Sequence, residues 1–296
     1  MTITVEVLIL FAVVLIGALC RKLGYLTDET IHGISQIVVN ITLPCLTIVN
    51  MQKPFNTDVL INFLLTLVLA FLSIVLCIAL GLLIFKKRPH ERRAVLANLL
   101  SFSNCGFMGY PVILAVNPDW MIYAVAYNIA FVFASWTIGV SLFQGKENIS
   151  LRRVILNPNV IASVIGFTLF CSRITIPAIP TRILNLIGGV TTPLSMLLIG
   201  PRLCGLHLSD FKDKDFHLAA LLRLVLLPLL IYGLLRPLPL APAVMGVLFL
   251  LTAMPSASTV AIQAELYDGD VTFAARAVAY STFMCMLTIP VMSLLL

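Results

Sequence analysis

The sequence predicts an all-α polytopic membrane protein of ten transmembrane helices, arranged as two inverted five-helix repeats. Three observations carry that expectation. Of 296 residues 60% are hydrophobic and only 11% charged, with a mean hydropathy of +1.06, a composition that places the chain among membrane proteins. Long charge-free runs follow one another along its length. Two helix-breaking segments recur about half a chain apart, and paired interruptions of this kind mark the binding site of secondary transporters.

The spans follow in order. Ile3–Cys20 is the first: it has no basic segment before it and no small-residue cleavage pattern, so it reads as a helix and not a leader. Charge-free runs then cover Thr30–Gln52, Val59–Phe85, Ala94–Pro118, Trp120–Gly145, Val154–Ser172, Ile183–Pro201, Pro237–Ala264 and Ala277–Leu296, against the roughly 20 apolar residues a crossing needs. Phe216–Leu235 completes the ten as the eighth. It carries Arg223, as the first carries Glu6, and each charge is expected near a helix end where it reaches the interface.

The net charge of +6 is a topology signal and not a mark of nucleic-acid binding. Arg21 and Lys22, Lys86 to Arg93, Lys146 to Arg153, Arg202 to Lys214 and Arg276 alternate with poorly charged loops holding only Lys53, Arg173, Arg182 and Arg236. Basic loops stay cytoplasmic, so a multi-pass protein of the cell membrane with both termini outside is expected. Seven scattered cysteines, with no Cys-x-x-Cys pair, read as buried free thiols without metal or disulfide. Nothing calls for a cofactor. The polar stretch from Arg202 to His217 reads as a solvated loop.

Five spans per half make the second half enter the membrane in the opposite sense. The first repeat is residues 1–145 and the second 152–296. Ile41-Thr42-Leu43-Pro44 recurs as Val190-Thr191-Thr192-Pro193, Leu99 to Asn104 as Leu250 to Ser256, and Thr137-Ile138-Gly139-Val140 as Thr288-Ile289-Pro290-Val291. Pro44 cannot bond the carbonyl of Asn40, nor Pro193 that of Gly189. In span four Ser101, Ser103, Asn104, Gly106 and Gly109 precede Pro111; span nine answers with Pro255, Ser256, Ser258 and Thr259. A helix interrupted at mid-membrane leaves backbone groups that must face protein or a wet cavity. Its second half starts with free N–H groups and a partial positive charge, so two such starts facing one another hold an anion without Lys or Arg. Any single proline or glycine here reads as helix packing; it is the paired placement that points to a site. Asn40, Asn62, Asn98 and Asn128 are expected to make interhelical hydrogen bonds, and Tyr123, Tyr127 and Trp136 to pack.

Ser103-Asn104-Cys105-Gly106-Phe107-Met108-Gly109-Tyr110-Pro111, the Met254-Pro255-Ser256-Ala257 stretch running on to Gln263-Ala264-Glu265-Leu266-Tyr267, and Asn40 through Pro44 resemble the auxin efflux carrier family over essentially the whole chain. The resemblance implies a fold similar to sodium/proton antiporters and bile acid symporters, in which spans four and nine break and cross. It implies a scaffold domain from 1–52 and 153–203, often dimeric, and a transport domain from 57–145 and 215–296. A small organic anion would place its carboxylate beside the crossing, at Ser103, Asn104, Cys105, Gly106, Pro255, Ser256, Ala257 and Ser258, with Asn40, Thr42, Pro44, Thr191 and Pro193 of the scaffold forming the cavity wall. Plant members carry a proline where this chain has Ser103, and often a long central loop where Gln144 to Arg153 is short, so a prokaryotic carrier is the better match.

No acid lies within ten residues of Asn104, and Glu265 is about 15 Å along a helix from Pro255. Span five carries Tyr127-Asn128 where antiporters of this superfold carry aspartate. This argues against a cation/proton antiporter, leaving a uniporter or, as the alternative, a sodium-coupled symporter of bile-acid type. His32, His90, His207 and His217 form no catalytic pattern, and no enzyme is expected.

Overall fold

The computed structural model describes residues 3–144 and 151–295, which are helices and their connections apart from one isolated β-bridge. In chain order the helices are α1 Ile3–Lys22, α2 Asp28–Asn50, α3 Thr57–Ile84, α4 His90–Ser101, α5 Cys105–Val116, α6 Pro118–Phe143, α7 Leu151–Ile155, α8 Pro158–Cys171, α9 Ala178–Leu203, α10 Lys214–Leu235, α11 Pro242–Thr252, α12 Thr259–Leu266 and α13 Val271–Leu295. Among the described residues six of these, α2, α3, α6, α9, α10 and α13, are long and apolar enough to cross a membrane. The protein is therefore multi-pass. Shorter apolar helices, α5, α8 and α11, lie among them. The repeat junction expected around Lys146 to Arg153 falls partly outside the described residues.

The packing is arranged for an apolar surrounding. Leu64, Val68 and Leu72, four residues apart on α3, are about half exposed, whereas Thr66 and Ser73 of the same helix are buried. Side chains at i and i+4 share one helix face, so α3 turns an apolar stripe outward and its polar groups inward. At the centre stands α6, with most of its residues buried. The opposite relation holds between α1 and the second half of α9, where backbones touch: a Cβ on Gly200 would lie 2.2 Å from the Val14 carbonyl oxygen, and one on Gly17 2.1 Å from that of Leu197. Only glycine allows that approach.

Prolines shape the helices by a common rule. Val38–Thr42, Cys105–Gly109 and Leu222–Leu226 are π-helical turns, and Pro44, Pro111 and Pro228 follow them at the second residue. A proline ring crowds the carbonyl four residues earlier and offers it no N–H, and a turn widened to five residues relieves the conflict. Pro193 acts differently: α9 is interrupted at Val190, and the proline lies in the first turn of the half that follows. At one end of the bundle Arg88 donates to Asp215 at 2.6 Å, Arg92 donates to Asp213 and Asp215 at 2.9 and 3.0 Å, and Arg276 pairs with Asp210. Lys53 pairs with Asp119 between the α2–α3 connection and the start of α6.

Candidate functional site

Where α4 stops at Ser101 and α11 at Thr252, the chain runs extended before α5 and α12 begin, and the two extended stretches meet. Ser103 lies opposite Ser256 in an antiparallel bridge. The Asn104 amide donates to the Pro255 carbonyl at 2.8 Å, and the Ala257 amide donates to the Phe102 carbonyl at 2.8 Å. Each interrupted helix thus satisfies backbone groups of the other, which is how broken backbone is tolerated away from water. The local cause is legible in the residues. Pro255 has no donor for a helical bond, and small Ser103 and Ser256 let two backbones approach.

Three further carbonyls near the ends of α4 and α11 find side-chain donors. Ser256 Oγ donates to the Leu99 carbonyl at 2.9 Å. Arg223, from α10, donates through Nη1 to the Leu100 carbonyl at 2.7 Å and through Nε to the Met254 carbonyl at 3.1 Å. This corrects the expectation that Arg223 reaches the interface: its side chain is 1% exposed and lies at the crossing, so the site is not built of neutral groups alone. The physical reason is that two helix C-termini, each with unpaired carbonyls and roughly half a negative charge, offer a guanidinium a better partner than the membrane surface does. Its third nitrogen, Nη2, is buried with no partner among the described residues.

On the other side of the bridge, α5 and α12 begin. Gly106 and Phe107 open one, Ser258 and Thr259 the other, and all four are half-buried. The first amides of a helix have no partner within it. The Asn104 side chain is 8% exposed and makes no capping bond to the helix it precedes. Flanking side chains hold the stretch in place. Ser103 Oγ is 3.2 Å from the Tyr127 hydroxyl, Cys105 Sγ donates to Asn128 Oδ1 at 3.3 Å, and the Ser256 amide donates to Ser281 Oγ at 3.1 Å.

Ser103, Asn104, Cys105, Gly106, Pro255, Ser256, Ala257 and Ser258 therefore stand together. Of the expected wall residues, Thr42 and Thr191 are buried, with hydroxyls that have no partner among the described residues. Leu43 reaches the crossing, since a Cβ on Gly106 would lie 3.7 Å from it, and the second half of α9 packs on the Cys105–Gly109 turn. Pro44 is half-buried. Asn40 and Pro193 are exposed, and Asn40 donates to Gln36 within its own helix at 2.7 Å. Sequence reasoning missed Arg223, Tyr127 and Ser281 as parts of the site. For Tyr127 and Asn128 a signal existed in their place on span five; for Ser281 there was none. The cysteines are free, but Cys171 and Cys204 are exposed, contrary to the expectation that all are buried. Both lie at helix ends. Among the described residues no cluster of three or more His, Cys, Asp or Glu side chains could hold a metal.

A crevice of about 240 Å³ opens between the end of α9 and the α12–α13 pair, lined by Pro201, Arg202, Ala261 and Arg276 among others. Ala261 lies two residues past Thr259, so the crevice adjoins the second half of the broken helix.

Comparison with known proteins gives a consistent pattern. The family described as "Membrane transport protein" matches residues 2–150 and 146–293. An "Uncharacterized transporter MJ1031" of Methanocaldococcus jannaschii is 25% identical over 96% of this chain and 95% of its own. An "Uncharacterized transporter" of Methanothermobacter thermautotrophicus is 24% identical over 99% of this chain and 98% of its own. "Uncharacterized transporter YfdV" of Escherichia coli K12 is 24% identical over 76% and 75%.

Proposed function

The chain belongs to the membrane transport protein family, of the auxin efflux carrier type and as a prokaryotic member, and from that premise we propose that it moves a small organic anion across the cell membrane by alternating access. The carrying observation is the pair of broken helices joined at Ser103 and Ser256, with two helix starts and the Asn104 carboxamide beside the joint. Two N-terminal ends, each worth roughly half a positive charge, favour a carboxylate there. In this reading α4 with α5 and α11 with α12 are each one crossing, α7 leads into the crossing made by α8, and α1 supplies another, giving ten passes in two inverted repeats with both termini outside.

Residues 57–145 and 215–296 form the moving domain, and 1–52 with 153–203 the scaffold, which pairs with a second copy. The headgroup lies on Ser103, Asn104, Cys105, Gly106, Pro255, Ser256, Ala257 and Ser258. Thr42, Pro44 and Thr191 lie along the wall against which the domain moves, and Arg202 lines the crevice beside Arg276, whose charge is matched by Asp210.

Purified protein melted with acetate, succinate or benzoate tests the reading. A ligand that binds the folded state raises the melting temperature with its concentration. We expect at least one carboxylate to do so in the parent and to lose that effect in Asn104→Ala; no response to any carboxylate overturns the anion reading.

A further inference from the structure

In transporters with discontinuous helices, unwound carbonyls and half-helix C-termini are the groups that coordinate a coupling sodium ion. Here two of those groups are already occupied. Leu100 lies in the last turn of α4 and Met254 two residues past the end of α11, and both of their carbonyls accept from one guanidinium, at 2.7 and 3.1 Å. The charges match as well: two C-termini of roughly −0.5 each sum to about −1, which one arginine neutralises. Arg223 forms no ion pair with a carboxylate among the described residues, and a fully buried guanidinium without a counter-charge would be expensive. The carbonyl ends are its counter-charge. Thr252, two residues before Met254, adds a buried hydroxyl oxygen beside this pair of carbonyls.

We infer that the Leu100 and Met254 carbonyls form an alkali-cation site filled from within by the Arg223 side chain, and that removing this side chain converts the crossing into a sodium site. Arg223 is a tethered cation. It remains with the crossing through the whole cycle, holds the two first halves together, and leaves the second halves free for the anion. The inference deepens the carrier reading and rests on it only in taking the crossing as the working site. A sodium ion coordinated by these same two carbonyls would have to displace the guanidinium.

The test uses sodium itself as the probe, with no organic anion. Melting of the full-length protein, followed in solubilised membranes by size-exclusion fluorescence, is compared in sodium chloride and choline chloride of equal ionic strength for the parent, Arg223→Ala, Arg223→Met and Arg223→Lys. The parent and Arg223→Lys should melt at the same temperature in both salts. Arg223→Ala should melt lower than the parent in choline and recover by several degrees in sodium, because the vacated space admits the ion and water. Arg223→Met, which fills that space with apolar atoms, should be destabilised equally in both. A sodium-dependent rise in the parent overturns the inference. So does an Arg223→Ala protein that behaves alike in the two salts, including one that folds in neither. Failure of the carboxylate screen leaves these outcomes unchanged, so the two readings fall separately.

Discussion

The Ser256 hydroxyl donates at 2.9 Å to the carbonyl of Leu99, binding the broken end of α11 to the last turn of α4. This is the one side-chain hydroxyl of the bridge pair that caps the opposite helix; Ser103 instead turns to Tyr127. The two halves of the crossing are equivalent in backbone and different in side-chain bracing.

Loss of that hydroxyl has a definite expected effect. Ser256→Ala leaves a buried carbonyl without its donor, at a cost of about 1–3 kcal/mol. The melting temperature in detergent should fall by roughly 2–10 °C. Unchanged melting means that the bond contributes nothing to the joint.

Asn104 sits beside two helix starts, with a carboxamide that makes no capping bond to its own helix. A hydrogen bond to a charged group is worth roughly 1.5–3 kcal/mol, or about ten- to a hundredfold in affinity. Asn104→Ala should weaken carboxylate binding by that factor in a titration, with melting of the free protein little altered. Asn104→Asp should bind worse still, because a fixed negative charge opposes the ligand at close range. Parental affinity in the aspartate variant at neutral pH moves the headgroup site elsewhere.

Pro44 and Pro193 shape the helices that face the crossing without joining it. Replacing either by Ala should change the transport rate in proteoliposomes more than the affinity, because the wall guides the motion and the headgroup stays on the other domain. Equal loss of binding in both variants assigns the headgroup to the scaffold instead.

Topology is tested by labelling in intact cells, in a background lacking the seven native cysteines. Cysteines at positions 53 and 236 should react with an impermeant reagent from outside, and those at 87 and 212 should not. Reaction of the second pair reverses the proposed orientation.

The interruptions were legible because the residues that cause them are local. Pro255 lacks a donor, and Ser103, Asn104 and Gly106 lie within four positions of one another, so the break is written in the stretch that breaks. The same holds for the π turn before Pro44. Arg223 was illegible for the opposite reason. Its acceptors lie 123 and 31 residues away along the chain, and a lone charge in an apolar run looks the same whether it faces lipid headgroups or two helix ends. Gln263, donating to the Ser135 carbonyl and hydroxyl from 128 residues away, is another case in which the partner is set by the tertiary fold. The membrane character was plain from composition.

The order of synthesis gives Arg223 a further consequence. An arginine in the middle of a nascent hydrophobic segment opposes its insertion by about 2.5–3.5 kcal/mol, so α10 must enter the bilayer on the strength of its leucines. Its first acceptor, Leu100, is then already in place; its second, Met254, has yet to leave the ribosome. Between those moments the guanidinium is held by one carbonyl. Seating of α11 completes the pair, so the buried charge is fully matched at the docking of α11 and not at the insertion of α10.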